Sequence, residues 1–503
     1  MNPTLRIRKL GIDTYRENIV YVSSDSDICQ SQGLRALSKL EVHYRHGQHR
    51  NKILATLNMT ANGMLHPGEI GLSDVAYRRL GAPEGGKVTL SHPSPLISTD
   101  FIRQKLDGEI LSRDQIFQMI RDIADYRYSN IELTAFAIAC GKRNLSKQEI
   151  VFLTEAMVET GETIDWKLPM VLDKHCIGGL PGNRTTMIVV PIIAALGLPM
   201  PKTSSRAITS PAGTADTMEA MTNVALSLPQ IKKIIAEENA CIAWGGALHL
   251  APVDDIIISV ERPLSLDSEG QMIASILSKK KAAGSTHVLI DIPVGPTAKV
   301  SNRREASRLK KLFETIGQKI GLKILVLVTD GRQPIGRGIG PVLEAQDVLQ
   351  VLKNEATIHD ISDLKEKSLL LAGRLIEFCK KARKGKGIAL ARHVLESGQA
   401  FEKFESILRS QGPLKKLEVG SHRHLVKSRI AGPVLSIHNQ KIAKVAKLAG
   451  APGSPGAGVY LHVKIGQTVR RDDVLFEIFA THQESLSFAV GYVTENRDII
   501  RFT

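Results

Sequence analysis

The chain has 503 residues, enough for two to four domains and a large buried core. At 43% apolar, 23% charged and 4% aromatic residues it reads as a globular protein with an aliphatic core, which argues against the exposed aromatic platforms that single-stranded nucleic acid needs. The formal charge of +15 falls mostly after residue 300, most densely at KKARKGK (380–386); no zinc finger, aromatic RNA-binding signature or heptad zipper accompanies it, so the run reads as a solvated face and no nucleic-acid partner is expected.

Residues 1–92 carry short alternating runs, such as Leu5-Arg6-Ile7-Arg8 and Ile19-Val20-Tyr21-Val22, and predict a small β-rich domain. From about residue 96 the apolar period becomes helical over 113–126 and 147–160, with Ser112 and Ser146 at N-cap positions and Glu149 completing a capping box. A buried-type strand, PMVLD (169–173), leads through a glycine-rich turn into a helix over 185–196 that Pro191 is expected to interrupt. Strands HVLIDI (287–292) and KILVLV (323–328), with an amphipathic helix 302–320 between them, form a βαβ unit and imply a parallel sheet. The β-rich end, from about 428, resembles a biotinyl half-barrel without the modified-lysine hairpin.

These elements predict a multidomain α/β protein. Its parts are the N-terminal β-rich domain (1–92), a helical domain (96–166 and about 252–282), a mixed or parallel α/β phosphate-binding domain (168–250 and 284–425) with a cleft between the two, and a C-terminal α+β half-barrel module (428–503). The five cysteines, Cys29, Cys140, Cys176, Cys241 and Cys379, are scattered and form no CxxC pair, so reduced thiols are expected rather than a disulfide framework or a metal site. MNPTLRIRKLGIDTYRE has no apolar signal core and no stretch reaches the roughly 20 apolar residues of a membrane span; a cytoplasmic location is the default expectation.

Three segments carry chemistry. DKHCIGGLPGNRTT (173–186) runs from strand to glycine loop to helix, a layout that can aim backbone N–H groups and helix-end potential at an anion. Lys174 adds a full charge and Thr185 and Thr186 add hydroxyls; the spacing fits neither a P-loop nor a dinucleotide fingerprint, and a tight α/β connection is the plainer reading. KTSSRAITSPAGTAD (202–216) offers hydroxyls and the Arg206 guanidinium, donors suited to phosphate or sugar oxygens, or else a surface turn capping a helix near Thr214. In LSLDSEGQMIASILSKK (264–280), Ser275 and Lys279 share a helix face, and Asp267 is either that helix's N-cap or a proton donor. Lys299 and the glycine run 331–340 each follow a strand of the sheet, where ligands of parallel sheets bind; the run reads as a mobile or closely packed loop.

Together these motifs resemble the thymidine phosphorylase family, and most closely its long branch, which includes AMP phosphorylase and carries an extra N-terminal domain. The resemblance spans nearly the whole chain, including KLDG (105–108) and ETIDW (162–166), and is most specific at SRAITSPAGTAD (205–216). It implies reversible phosphorolysis of a nucleoside or nucleoside 5′-monophosphate to free base and a pentose 1-phosphate, with no metal or organic cofactor and assembly as a homodimer or larger. By the same resemblance Lys174, Cys176, Gly179, Thr186, Ser204 and Thr214 fall at phosphate positions. Gly179, Ser205, Arg206, Ala207, Ile208, Thr209, Ser210, Thr214, Ser275, Lys279 and Lys299 fall at nucleoside or nucleotide positions, Asp267 at the proton donor, and Lys174 and His175 beside the reacting atoms. Two positions depart from the pattern: Cys176 replaces a phosphate-binding serine, and Val260 stands where the short enzymes have a pyrimidine-gripping arginine. Three other readings compete. One, within the same class, is a pyrimidine nucleoside phosphorylase acting strictly on thymidine or uridine. An anthranilate phosphoribosyltransferase-like enzyme would need an acidic pair for magnesium at the glycine loop, and a non-catalytic anion- or nucleic-acid-binding protein would rest on charge alone.

Overall fold

The computed structural model describes residues 4–502 except 15–16, 29–33, 48, 62, 143–144, 208–209, 265, 267 and 356–359, so the expectations placed on Cys29, Ile208, Thr209 and Asp267 lie outside the described residues. The chain divides into two compact units, Met1–Thr160 with Pro252–Met272, and Gly161–Ala251 with Ile273–Thr503.

Period-two alternation builds the first part of the first unit. In β1 (Thr4–Lys9), Leu5 and Ile7 are buried between exposed neighbours. With β2 (Ile19–Ser23), β3 (Lys39–His46), β4 (His49–Thr60), β5 (Glu69–Leu72) and β6 (Lys87–Ser91) it closes a barrel in the order β1-β5-β2-β4-β3-β6, which leaves no edge strand. Leu5, Val20, Val22, Leu40, Val42 and Leu57 fill the core. Helices Ser98–Asp107, Arg113–Ala124, Asn130–Lys142, Lys147–Glu159 and Pro252–Leu264 make up the helical part. Both expected N-caps form; Ser146 makes the expected capping box with Glu149, and Ser112 makes a second with Gln115. Glu149 also holds Lys105 of the KLDG motif in a buried pair at 2.7 Å and accepts from Leu111 N at 3.0 Å, so that motif ties helices together. Val260 is buried.

The second unit is built on parallel strands, as the βαβ pattern predicts. β7 (Leu172–Cys176), β10 (His287–Val294) and β11 (Lys323–Asp330) pair in parallel in the order β11-β10-β7, and β8 (Met200–Ser204) pairs in parallel with β9 (Ala240–Trp244). Leu172 N donates to Pro199 O at 2.9 Å where the two sheets meet. Helix Arg303–Lys319 connects β10 to β11, capped by Asn302. Helix Thr185–Ala195 is buried on every side, as a helix apolar all round must be, and it runs through Pro191 instead of breaking there. Enclosure by helices Ser362–Phe378 and Gln399–Gln411 overrides the one backbone bond that proline forfeits.

In the C-terminal part, β12 (Gly338–Ile339), β15 (Gly458–Leu461), β17 (Val474–Ala480) and β13 (His422–Lys427) form an antiparallel sheet in that order. A second sheet has the order β16 (Thr468–Val469), β14 (Gly432–Ile437), β18 (Ile500–Phe502). The glycine run 331–340 supplies β12 and is packed rather than mobile. The buried carboxylate of Asp347 accepts from Arg337 N (2.6 Å) and Gly338 N (2.8 Å), and Lys464 donates to Pro334 O (2.8 Å). Among the described residues no helix is long and apolar enough to cross a membrane.

Candidate functional site

Strand alternation gives β7 two chemically different faces. On one, Lys174 is 1% exposed and its Nζ donates to Thr185 Oγ1 (2.6 Å) and Thr186 Oγ1 (3.2 Å), the first residues of the buried helix. Burial, with no carboxylate among the described residues in ion-pair contact, lowers the Lys174 ammonium from its ordinary range. Two residues on, Cys176 Sγ accepts from Asn183 Nδ2 at 3.0 Å, and burial and Asp291 raise the thiol, so it stays protonated. Asp291 on the neighbouring strand accepts from Thr329 Oγ1 (2.6 Å) and lies 3.1 Å from Lys367 Nζ.

On the other face, Asp173 is fully buried between Lys280 (2.7 Å) and Lys202 (3.4 Å). Burial pushes its carboxyl up, but the two lysines together outweigh that and hold it below the usual carboxylate range. His175 shares this face. Burial and then Lys280, Lys202, Lys174 and Lys279 hold its imidazole well below the histidine range, so it is neutral near pH 7. A neutral imidazole both donates and accepts, which suits it to a base edge and unsuits it to binding an anion by charge.

The glycine loop requires its glycines. Gly178, Gly179 and Gly182 all have positive φ (93°, 80° and 72°). A Cβ on Gly179 would lie 2.5 Å from Lys299 N, so the loop after β10 packs directly on the glycine loop and brings the predicted residues Gly179 and Lys299 together. A Cβ on Gly182 would lie 2.0 Å from Ile335 O.

Arg184, which the sequence reading passed over, joins this loop to the Ser/Thr-rich one. Its Nη1 donates to Thr214 Oγ1 (3.0 Å), its Nη2 to Ala212 O (2.9 Å), and its Nε pairs with buried Glu344. The second loop turns much of its polarity inward. Arg206 pairs with Glu219 through both terminal nitrogens and lies 3.3 Å from Asp216, and its guanidinium stacks 4.8 Å from the Trp244 ring. Asp216 accepts from Ala207 N (2.7 Å) and Gly213 N (2.8 Å), and Ser210 Oγ donates to Ala212 O (2.8 Å). Ser204 and Ser205 sit at the end of β8, where Ser204 Oγ reaches only Ser205 O at 3.5 Å. Between Ile273 and Lys280, only Ser275 and Lys279 are partly exposed, on one face of helix Glu269–Ala282. That helix is capped by Ser268, whose Oγ accepts from Gln271 N at 3.5 Å.

Three family models match the chain: the helical bundle domain of a glycosyl transferase family over 99–161, the a/b domain of a glycosyl transferase family over 168–401, and the pyrimidine nucleoside phosphorylase C-terminal domain over 434–499. The chain is 50% identical to a "Putative thymidine phosphorylase" of Polaromonas sp. (strain JS666 / ATCC BAA-500), over 99% of this chain and 96% of that protein. It is 47% identical to a protein of the same name from Legionella pneumophila (strain Corby), over 99% of this chain and 95% of that protein. Its fold is similar to that of anthranilate phosphoribosyltransferase from Thermus thermophilus (TM-score 0.52, 20% identity, 62% of this chain and 99% of that one), a likeness of fold alone.

Proposed function

The chain belongs to the thymidine phosphorylase family and is thereby a nucleoside phosphorylase, and we propose that its phosphate is held around Lys174 and its base over Ser275 and Lys279. The observation that carries this reading is the cradle itself. A buried lysine with no carboxylate in ion-pair contact among the described residues, backed on two threonine hydroxyls at a helix start, calls for an anion. Phosphate would attack C1′ as the glycosidic bond stretches through an oxocarbenium-like state, and its negative charge would steady that cation. His175, neutral between lysines, would hydrogen-bond the base, and Asp267 would protonate it as it leaves. Without that proton the base can still leave as a delocalised anion, so Asp267→Asn is expected to lower kcat by about 10²-fold, the low end of general-acid contributions. Near-normal turnover in that variant, measured as released base, would remove Asp267 from the reaction. Phosphate is the only co-substrate the reaction needs, and a chelator should leave the rate unchanged.

Cys176 bears on phosphate affinity. Cys176→Ser puts a stronger donor at the same point, worth about 0.5–1.5 kcal/mol, and is expected to lower KM for phosphate roughly two- to tenfold. An unchanged or higher phosphate KM would take position 176 out of the cradle.

Arg206 bears on the substrate. Its charge is offset by Glu219 and Asp216, so a 5′-phosphate would have to displace a bidentate carboxylate pair, a demand that a nucleoside does not make. An unphosphorylated nucleoside is therefore the first expectation. A nucleoside 5′-monophosphate is the second reading, favoured by the hydroxyls of Ser205 and Ser210. Phosphate-dependent base release from AMP, CMP, UMP, dTMP, adenosine, cytidine, uridine and thymidine decides between them, and no release from any of the eight would overturn the phosphorylase reading. For assembly we propose a homodimer through the helical part, where Ile97, Ile110, Ile131 and Ile138 are exposed and a second copy would cover them. Sedimentation as a monomer would contradict it.

A further inference from the structure

We infer that Arg184 is a positioning residue for phosphate, fixing the Thr214 hydroxyl as a donor by occupying the oxygen's acceptor side and locking the Ser/Thr-rich loop to the glycine loop. The inference rests on the phosphate reading above. A threonine oxygen that accepts from a cation must direct its own hydrogen elsewhere. Arg184 Nη1 donates to Thr214 Oγ1 at 3.0 Å, and among the described residues the Thr214 hydroxyl has no acceptor for its own hydrogen. The same arrangement recurs twice beside it. Lys174 Nζ donates to Thr186 Oγ1 at 3.2 Å, and Asn183 Nδ2 donates to Cys176 Sγ at 3.0 Å. Three positions assigned to phosphate by motif alone thus share one electronic setting: each has a donor behind it and its own hydrogen left to give. That is the setting an acceptor-only anion needs.

Arg184 is built to hold this geometry. Its guanidinium is buried, with Nε on Glu344 and Nη2 on Ala212 O (2.9 Å). Glu344 is in turn held by Gly340 N (3.2 Å) and Thr217 Oγ1 (3.4 Å). All five of these groups lie within one compact unit, so the fork, the loop and the helix start move as one. A guanidinium holds its donors in a fixed planar fork that reaches three separated partners; an ammonium's three donors spring from one nitrogen and cannot span that fork.

The test is a cycle of Arg184→Met and Thr214→Val in the otherwise unchanged chain, with Arg184→Met/Glu344→Met as the control that leaves neither buried partner alone. Phosphate binding is read by calorimetry with inorganic phosphate on the full chain, which needs no turnover, and by KM for phosphate and nucleoside. Each single change is expected to weaken phosphate binding about tenfold, and the double change no more than the worse single one, because both remove the same interaction. Nucleoside KM should stay within about twofold, and Arg184→Lys, keeping a cation but not the fork, should fall between wild type and Arg184→Met. Independent, multiplying effects, or equal weakening of nucleoside and phosphate, would overturn the inference, as would lost thermal stability with unchanged phosphate binding. If the wild-type chain binds phosphate with this coupling but releases no base, the phosphorylase reading fails and the positioning role stands.

Discussion

Lys174→Met is expected to lower kcat/KM for phosphate by about 10³-fold without lowering the melting temperature by more than a few degrees. The two halves of this expectation have separate causes. The ammonium lies 1% exposed against two neutral hydroxyls, so it is carried by the fold at a desolvation cost that those bonds only partly offset. Methionine has nearly the same length, relieves that cost, and leaves Thr185 bonded to Asn183 Oδ1 at 3.1 Å. The activity, by contrast, loses the one full charge at the cradle's floor, where a charge-assisted bond to an anion is strongest. The pH dependence follows. Burial lowers the Lys174 ammonium, so in the free enzyme the alkaline limb of kcat/KM for phosphate lies below the ordinary lysine value of 10.5. Lys174→Arg should move that limb upward. Thermal melts beside base-release assays separate the outcomes: activity and melting temperature falling together would make Lys174 a structural residue, and surviving activity would move the phosphate elsewhere.

The strands, helices and caps were legible because each rests on a local pattern. The alternation in 5–8, the apolar period in 147–160 and the Ser146–Glu149 box each report a neighbour at fixed spacing. The site was legible only at its glycines and at the motif residues. Arg184, Glu344, Asp291 and Lys367 went unnoticed because the Arg184–Glu344 pair spans 160 residues and Asp291 and Lys367 are likewise far apart in sequence. The single charged residue inside VLIDIPV is a signal that could have marked Asp291, since a lone carboxylate in an apolar run implies a buried cation facing it; Glu344 shares PVLEAQDVL with Asp347 and carries no such mark. Pro191 misled for the same reason: a local rule lost to enclosure on all sides. The pairing of Arg206 with Glu219, thirteen residues on, was not legible because no helix or strand period joins the two.

Asp173→Asn is expected to destabilise the chain by about 3–5 kcal/mol, because it leaves Lys202 and Lys280 buried with no counter-charge. The amide oxygen can still accept from Lys174 N (2.6 Å), and the amide nitrogen, in place of the oxygen that accepts from Ser285 Oγ (3.3 Å), can donate to that hydroxyl, so the shape is kept and the main loss is of charge. Its pH profile distinguishes this cause from a packing defect. The Asp173 carboxyl is held below its ordinary 3.8, so its contribution is present above that value and is lost as pH falls through the lower folded value. On the acid side the variant and wild type therefore converge. On the alkaline side the signs reverse. Burial already lowers Lys202 to about 7 in the native chain, and without Asp173 it loses the charge that raises it and is lowered further. A lysine whose folded value is depressed binds fewer protons folded than unfolded, so stability rises with pH from that depressed value up to the ordinary 10.5. Wild type therefore gains stability from about pH 7 upward, whereas the variant, with Lys202 lowered further, begins that rise at a lower pH, giving a difference that is largest in the acid-to-neutral range and narrows both toward pH 7 and as Asp173 itself is protonated. Denaturant midpoints measured from pH 4 to 10 show this directly. A difference independent of pH would mean that Asp173 fills space rather than offsets charge, and the neutral state assigned to His175, which depends on those same lysines, would need another cause.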